Sequence, residues 1–266
     1  MQLAEIMRRS TWREPASVAS AALSLLRRAR GAAQPSHRDY DRSGLSAKFE
    51  QDGVVFLPAL FDPTFISQIN AEAERIYNLR EEKARRLLIT KGLLTQDQWR
   101  SIAVANIKLN RKPLLAQLMH HVFLELARSY LGKEPVPHAD SYVRSQLPAH
   151  RHTHLPFHQD QTVVGSRLVN IWIPLVACGR DAPGLEVVAG SWDQLVPPAD
   201  PSGPGHIVER ARIDETAVLA AYPTEAMLRP EFSVGDAIVF SGATIHRTHI
   251  APGMNRARTS IDMRLV

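Results

Sequence analysis

One cysteine, Cys178, is all that the 266 residues contain. No intrachain disulfide framework can form, and a reducing, cytoplasmic setting is the expectation. Long apolar runs are missing too: nothing approaches the roughly 18–20 residues that span a bilayer. Lysine is scarce, with six among 32 basic residues, so arginine carries the formal net charge of +5. Those arginines are scattered rather than clustered among aromatics, which argues against a nucleic-acid partner. Repeats and low-complexity segments are absent. What is present, 44% hydrophobic and 22% charged residues, belongs to a folded domain rather than a disordered chain. The length suits one core with a helical elaboration, not two full-sized enzymatic domains.

Residues 1–37 read as an N-terminal helical arm. Val18, Ala21, Ala22, Leu25 and Leu26 fall on one stripe between Pro15 and Gly31. Arg8-Arg9 precede this patch, but Glu14-Pro15 interrupt the approach and Arg27, Arg28 and Arg30 close it, so the segment is expected to be retained. Packing on the main domain is the favoured role, with peripheral membrane contact the lesser alternative. Gly31 to Arg42 reads as a linker.

Residues 38–134 read as largely helical. Gly53-Val54-Val55-Phe56-Leu57-Pro58 is a short strand bounded by breakers, and Asp62-Pro63 opens a helix carrying Phe65, Ile69, Ala73 and Ile76 to about Arg86. Thr95 and Gln98 form a capping-box pattern, and a single helix is predicted from about Pro113 to Leu131, stopped by Gly132. Beyond Pro135 and Pro137 the hydrophobic period drops towards two. Strands are predicted at Leu168–Val176, Leu185–Val188, Ala237–Phe240 and Thr259–Val266, a sandwich or barrel signal over 135–266.

His158-Gln159-Asp160 is the sharpest chemical feature. On extended backbone two residues apart, imidazole and carboxylate point to one side and can reach one cation. A histidine from a distant strand would complete a 2-His-1-carboxylate triad, which leaves positions open on non-haem iron(II). Two candidates lie three residues apart, His246 and His249. An odd separation on a strand sends them to opposite faces, and His246 is favoured because His249 runs into the turn-forming Ile250-Ala251-Pro252-Gly253. The span from His246 to Arg258 suits a hairpin through that turn. His150, His152 and His154 alternate just upstream, but basic neighbours favour a solvated rim. Cys178, after a buried-looking strand, is expected to be inert.

Five elements in order resemble the phytanoyl-CoA dioxygenase-like family of iron(II)/2-oxoglutarate oxygenases. They are the His-Gln-Asp motif, the strand Asn170-Ile171-Trp172-Ile173-Pro174-Leu175, and the turn from Gly184 to Ser191. Gly235-Asp236 with its strand and Ile245-His246-Arg247-Thr248 then lead to Arg258-Thr259-Ser260. Phe49 to Ile76 resembles the family's opening. One departure is Ala189-Gly190-Ser191-Trp192, where the family often has Pro-Gly-Ser-His.

The resemblance, over about 48–266, implies an α+β fold with a mainly β core: a double-stranded β-helix (jelly roll) with N-terminal helices packed on it. It implies iron(II) on His158, Asp160 and His246, with 2-oxoglutarate as co-substrate, O2 as oxidant and ascorbate supportive in vitro. Arg258 would clamp the distal carboxylate, a role suited to a planar fork, with Arg256 the competitor. Ser260 would donate beside it, and Trp172 would line the pocket. Asn170, on Trp172's face, needs a partner in a barrel interior and can meet 2-oxoglutarate or substrate. Asp262 and Arg264 continue the Arg258 face and are expected to pair with each other. The implied function is oxidation of an aliphatic C–H bond of a small metabolite. Arg144, Arg151, Arg167 and Arg264 tilt that substrate towards an anion. A non-catalytic, cupin-like metal-binding protein is the alternative.

Overall fold

The computed structural model describes residues 40–89, 107–109, 112–149, 154–202 and 210–266. The expected arm, the Thr95–Gln98 box, His150, His152 and Arg151 lie outside the described residues. In chain order the elements are α1 (Arg42–Asp52), β1 (Val54–Leu57), α2 (Pro63–Ile89), β2 (Ile107–Lys108), α3 (Lys112–Leu118), α4 (His121–Leu131) and β3 (Tyr142–Gln146). Then follow α5 (Asp160–Val164), β4 (Val169–Pro174), β5 (Gly184–Val188), α6 (Glu215–Ala221), β6 (Met227–Leu228), β7 (Ala237–Ser241), β8 (His246–His249) and β9 (Arg258–Leu265).

The fold is mixed α+β with two antiparallel sheets. The larger has the order β1-β7-β4-β9-β3-β2, the smaller β6-β5-β8. Strand alternation assigns the faces. Odd-numbered residues of the large sheet (Val55, Leu57, Val169, Ile171, Ile173, Val239, Ile261, Met263, Leu265) pack against helical Phe65, Ile66, Ile69, Leu118, Phe123 and Leu126. Even-numbered Val54, Trp172, Ile238 and Phe240 face the small sheet's Leu185 and Val187. The helices therefore cover the outer face of the large sheet, and the space between the sheets is left for the even-numbered side chains of β4 and β9.

The predicted strands appear within a residue or two, and Asp62 opens α2 by accepting from the backbone N–H groups of Thr64 (2.7 Å) and Phe65 (3.2 Å). Three expectations need correction. The single helix expected from Pro113 to Leu131 is two, because His120 adopts extended backbone and its ring caps α4, accepting from Val122 N–H. A helix that was not predicted, α1, follows the expected linker from Arg42, capped by Asp41 and stopped by Gly53 in the left-handed region, while linker residues 31–39 lie outside the described residues. Its polar sequence gives little helical period, so the caps carry the signal.

The third correction concerns the hairpin. β8 pairs with β5 in the small sheet, whereas β9 lies between β4 and β3 in the large one. The chain after His249 crosses from one sheet to the other instead of turning back on itself. Among the described residues no helix is long and apolar enough to cross a membrane.

Candidate metal and co-substrate site

His158 and His246 come from different segments and meet as an antiparallel bridge. His158 N–H donates to the His246 carbonyl at 3.0 Å, and His246 N–H to the His158 carbonyl at 3.1 Å. The rings stand 4.2 Å apart. Each Nδ1 donates to a local carbonyl, His158 to Pro156 (2.7 Å) and His246 to Thr244 (3.0 Å). Both Nε2 lone pairs are thereby left for a third party, the arrangement that orients metal-binding imidazoles. They face Asp160, 3.7 Å from His158 Nε2 to Oδ1 and 3.8 Å from His246 Nε2 to Oδ2. Ligand atoms of all three buried residues lie within 4.8 Å of one another, and no other such group occurs among the described residues.

The extended backbone expected for the whole His-Gln-Asp motif stops at Gln159, since Asp160 is the first residue of α5. The carboxylate still converges on the imidazoles. Gln159, buried between them in sequence, explains how. Its amide nitrogen donates to the carbonyls of Gln194 (2.8 Å) and Ala243, and its oxygen accepts from Val196 N–H (2.8 Å). It ties the motif to the turn before His246 and to the loop after Ser191. Ser191 does the same from the other side, accepting from Ile245 N–H (2.9 Å) while donating to the Val188 carbonyl (2.6 Å). Trp192 packs against Gly53, and its indole N–H reaches the Gln51 carbonyl at 3.3 Å. The departure at Trp192 thus anchors the turn to the end of α1.

Burial sets the protonation states. It pushes His158 down to about 3, assisted by the neighbouring His246, and it also lowers His246. Both imidazoles are neutral and available as ligands near neutral pH. Burial opposes ionisation of Asp160, yet Arg264 and the two imidazoles hold its carboxyl well below the usual range. The expectation that Asp262 and Arg264 pair with each other is wrong. Arg264 forks onto Asp160, with contacts of 3.0–3.2 Å, and Asp262 accepts from Arg144 Nε at 2.7 Å. Two residues apart on one strand, they face the same way but lean to different partners, Asp262 to Arg144 on neighbouring β3 and Arg264 to Asp160 on α5.

The triad opens onto a small pocket lined by Arg144, Asn170, Trp172, Arg258, Asp262 and Arg264 among others. Arg258 is 2% exposed, and burial pulls its guanidinium down to about 10. It lies 5.2 Å over the Trp172 ring, and one Nη reaches the Gly184 carbonyl at 3.5 Å. No carboxylate lies within ion-pair distance of it among the described residues, and its Nε is buried without a partner, as is Asn170 Nδ2. Two orphaned donors in one pocket fit a group that brings carboxylate oxygens.

Arg256, the expected competitor, is exposed ahead of β9 and outside this lining. Ser260 shares the Arg258 face, but its hydroxyl donates to Asp262 at 3.0 Å. His249 turns away from the triad to within 4.0 Å of Glu186. His154 contacts the Leu147 carbonyl. Sequence reading missed Gln159, Ser191 and Arg144 as supports. The first lies inside the motif, where its spacing between two ligands was the available signal.

Fold and site together define a candidate metal centre of two imidazoles and one carboxylate, beside a pocket with two unpartnered donors. The family model described as "Phytanoyl-CoA dioxygenase (PhyH)" matches residues 49–251. The chain belongs to this family of non-haem iron(II)/2-oxoglutarate-dependent oxygenases, with His158, Asp160 and His246 as the facial triad. No curated protein sequence gives a significant match.

Solved structures share the fold at low identity. EvdO2 from Micromonospora carbonacea var. aurantiaca, complexed with 2-oxoglutarate, is 16% identical with a TM-score of 0.57, covering 88% of this chain and 93% of its own. The non-heme α-ketoglutarate-dependent carbocyclase SnoK from nogalamycin biosynthesis is 14% identical at 0.55, covering 88% and 87%. The epimerase SnoN, in complex with Fe3+, α-ketoglutarate and nogalamycin RO, is 16% identical at 0.53, covering 85% and 83%.

Proposed function

We propose that the protein oxidises an aliphatic C–H bond of a small anionic metabolite, by hydroxylation or a related outcome such as desaturation, ring closure or epimerisation. The two facing sheets are read as a double-stranded β-helix forming one domain with the helical part. The observation that carries the function is Arg258: a buried cation with an orphaned Nε beside the triad. Desolvating a guanidinium without a partner is costly, so its burial favours a carboxylate ligand. A metal-binding cupin-like protein has no use for it.

In this reading His158, Asp160 and His246 hold iron(II), and Arg258 receives the far carboxylate of 2-oxoglutarate. Asn170 donates into the same pocket. Trp172 supports the guanidinium from below and keeps water from it. Ser260 joins after its hydroxyl turns from Asp262. Iron with bound 2-oxoglutarate supplies O2-driven decarboxylation to succinate and carbon dioxide, coupled to oxidation of the substrate. The anionic preference rests on charge: three arginines (144, 258, 264) but two aspartates (160, 262) turn their side chains to the pocket, whereas Arg247 pairs with Glu186 and Glu215 on the other face of β8. SnoK, a carbocyclase, and SnoN, an epimerase, share the fold and support including those outcomes.

The test is anaerobic addition of 2-oxoglutarate to the iron-loaded protein, followed by turnover of a metabolite mixture with iron, ascorbate and 2-oxoglutarate. A visible metal-to-ligand charge-transfer band and substrate-stimulated succinate are expected. Iron binding without the band would overturn the oxygenase reading in favour of a metal-binding protein.

A further inference from the structure

Asp160 opens α5, and a carboxylate at that position can fold back onto the helix's own free N–H groups. Here it does not. It reaches between the sheets, where Arg264 holds it from the far end of β9. Arg264 Nη2 donates to Oδ1 and Oδ2, each at 3.0 Å, and Nε donates to Oδ2 at 3.2 Å. The guanidinium is itself fixed, because Nη1 donates to the Asp140 carbonyl at 2.5 Å, the Arg264 N–H donates to Ser141 Oγ at 3.1 Å, and the Tyr142 ring lies 5.9 Å away. Arg264 is 8% exposed, so this is an interior fork and not a surface pair.

The fork treats the two oxygens unequally. A carboxylate oxygen has about two acceptor directions. Oδ2 accepts from both Nε and Nη2 and has both directions engaged, whereas Oδ1 accepts from Nη2 alone and retains one. Each oxygen faces one imidazole at nearly the same distance, Oδ1 His158 Nε2 at 3.7 Å and Oδ2 His246 Nε2 at 3.8 Å, so the hydrogen bonds from Arg264 are what tell them apart.

We infer that Arg264 is a positioning residue that makes Asp160 a one-oxygen ligand, through Oδ1. This rests on the oxygenase reading and gives Arg264 a role within it. A facial triad is useful because it leaves the opposite face of the metal open. A carboxylate binding through both oxygens would take one of those positions. A co-substrate chelating through two atoms would then fill the rest and leave no place for a further small ligand. Arg264 guards that vacancy by occupying Oδ2.

The experiment compares wild type with Arg264→Met, which removes the fork at similar length, and Arg264→Lys, which keeps the charge without the fork. Iron(II) and 2-oxoglutarate binding are measured by anaerobic calorimetry. Nitric oxide is then added to the iron and 2-oxoglutarate-loaded proteins, and its adduct is read by electron paramagnetic resonance. Thermal unfolding with and without Co(II) reports whether each variant folds and takes metal.

Arg264→Met is expected to keep iron affinity within a few-fold but to weaken nitric oxide binding in the presence of 2-oxoglutarate by about ten-fold or more, equivalent to about 1.4 kcal/mol. Arg264→Lys is expected to fall between. Unchanged nitric oxide binding in both variants overturns the inference. So does equal loss of iron and nitric oxide binding in Arg264→Lys, which marks a merely structural residue. Wild type that fails to bind 2-oxoglutarate overturns the oxygenase reading instead, so the two failures are distinct.

Discussion

His158 and His246 exchange both of their backbone hydrogen bonds, at 3.0 and 3.1 Å, although 88 positions separate them in the chain. The bridge fixes the register of β8, so that alternate residues face alternate sides. His246 therefore points to Asp160 and His249 to Glu186. His246→Ala is expected to abolish iron retention and succinate production, whereas His249→Ala keeps iron and at least part of the activity. Bound iron and succinate decide it: loss of metal from His249→Ala with retention in His246→Ala overturns the ligand assignment.

Arg258 and Arg256 allow a second comparison. Removing one partner of a buried, hydrogen-bonded charge pair costs about 2–5 kcal/mol, and a rim charge far less. Arg258→Ala is accordingly expected to weaken 2-oxoglutarate binding by that amount, and exposed Arg256→Ala to leave it nearly unchanged. Calorimetric titration of the iron-loaded variants checks this, and equal losses would remove Arg258 from its role.

Gly53 and Gly132 share a left-handed φ of 69°, but their surroundings differ. A Cβ at Gly53 would run into the Trp192 ring, whereas at Gly132 nothing lies within 4 Å. The backbone term alone is about 1–2 kcal/mol for an L-residue. Gly53→Ala should exceed Gly132→Ala by the cost of displacing Trp192, read as a lower denaturant midpoint. Indistinguishable midpoints would mean that Trp192 is not anchored there.

Burial pushes the Cys178 thiol up to about 12, above its ordinary 9.0. The folded state thus favours the neutral thiol. That contribution is fully present below pH 9 and is lost as pH rises towards 12. Native protein at pH 8.5 is expected to react with iodoacetamide at least about 100-fold more slowly than protein in urea, since the thiolate is the nucleophile. Comparable rates would show that the thiol is accessible.

Local sequence specified β1, β4, β5, β7 and β9, the start of α2, the His-Gln-Asp motif and the opposite facing of His246 and His249. These depend on the period of two along a strand, on caps and on breakers, all local properties. It also placed Arg258, Ser260, Asp262 and Arg264 on one face, by the same alternation. What that face meets depends on how distant segments pack against it. Asp262 and Arg264 looked like each other's partner because they are neighbours along β9. Arg144 and Asp160 arrive from elsewhere and take them instead. The expected hairpin after His246 failed for the same reason: a turn-forming run permits a hairpin, but strand pairing is chosen by how the two sheets bury their apolar faces. The break at His120 and the helical start at Asp160 were likewise hidden, because each depends on a side chain finding a partner its own segment does not supply.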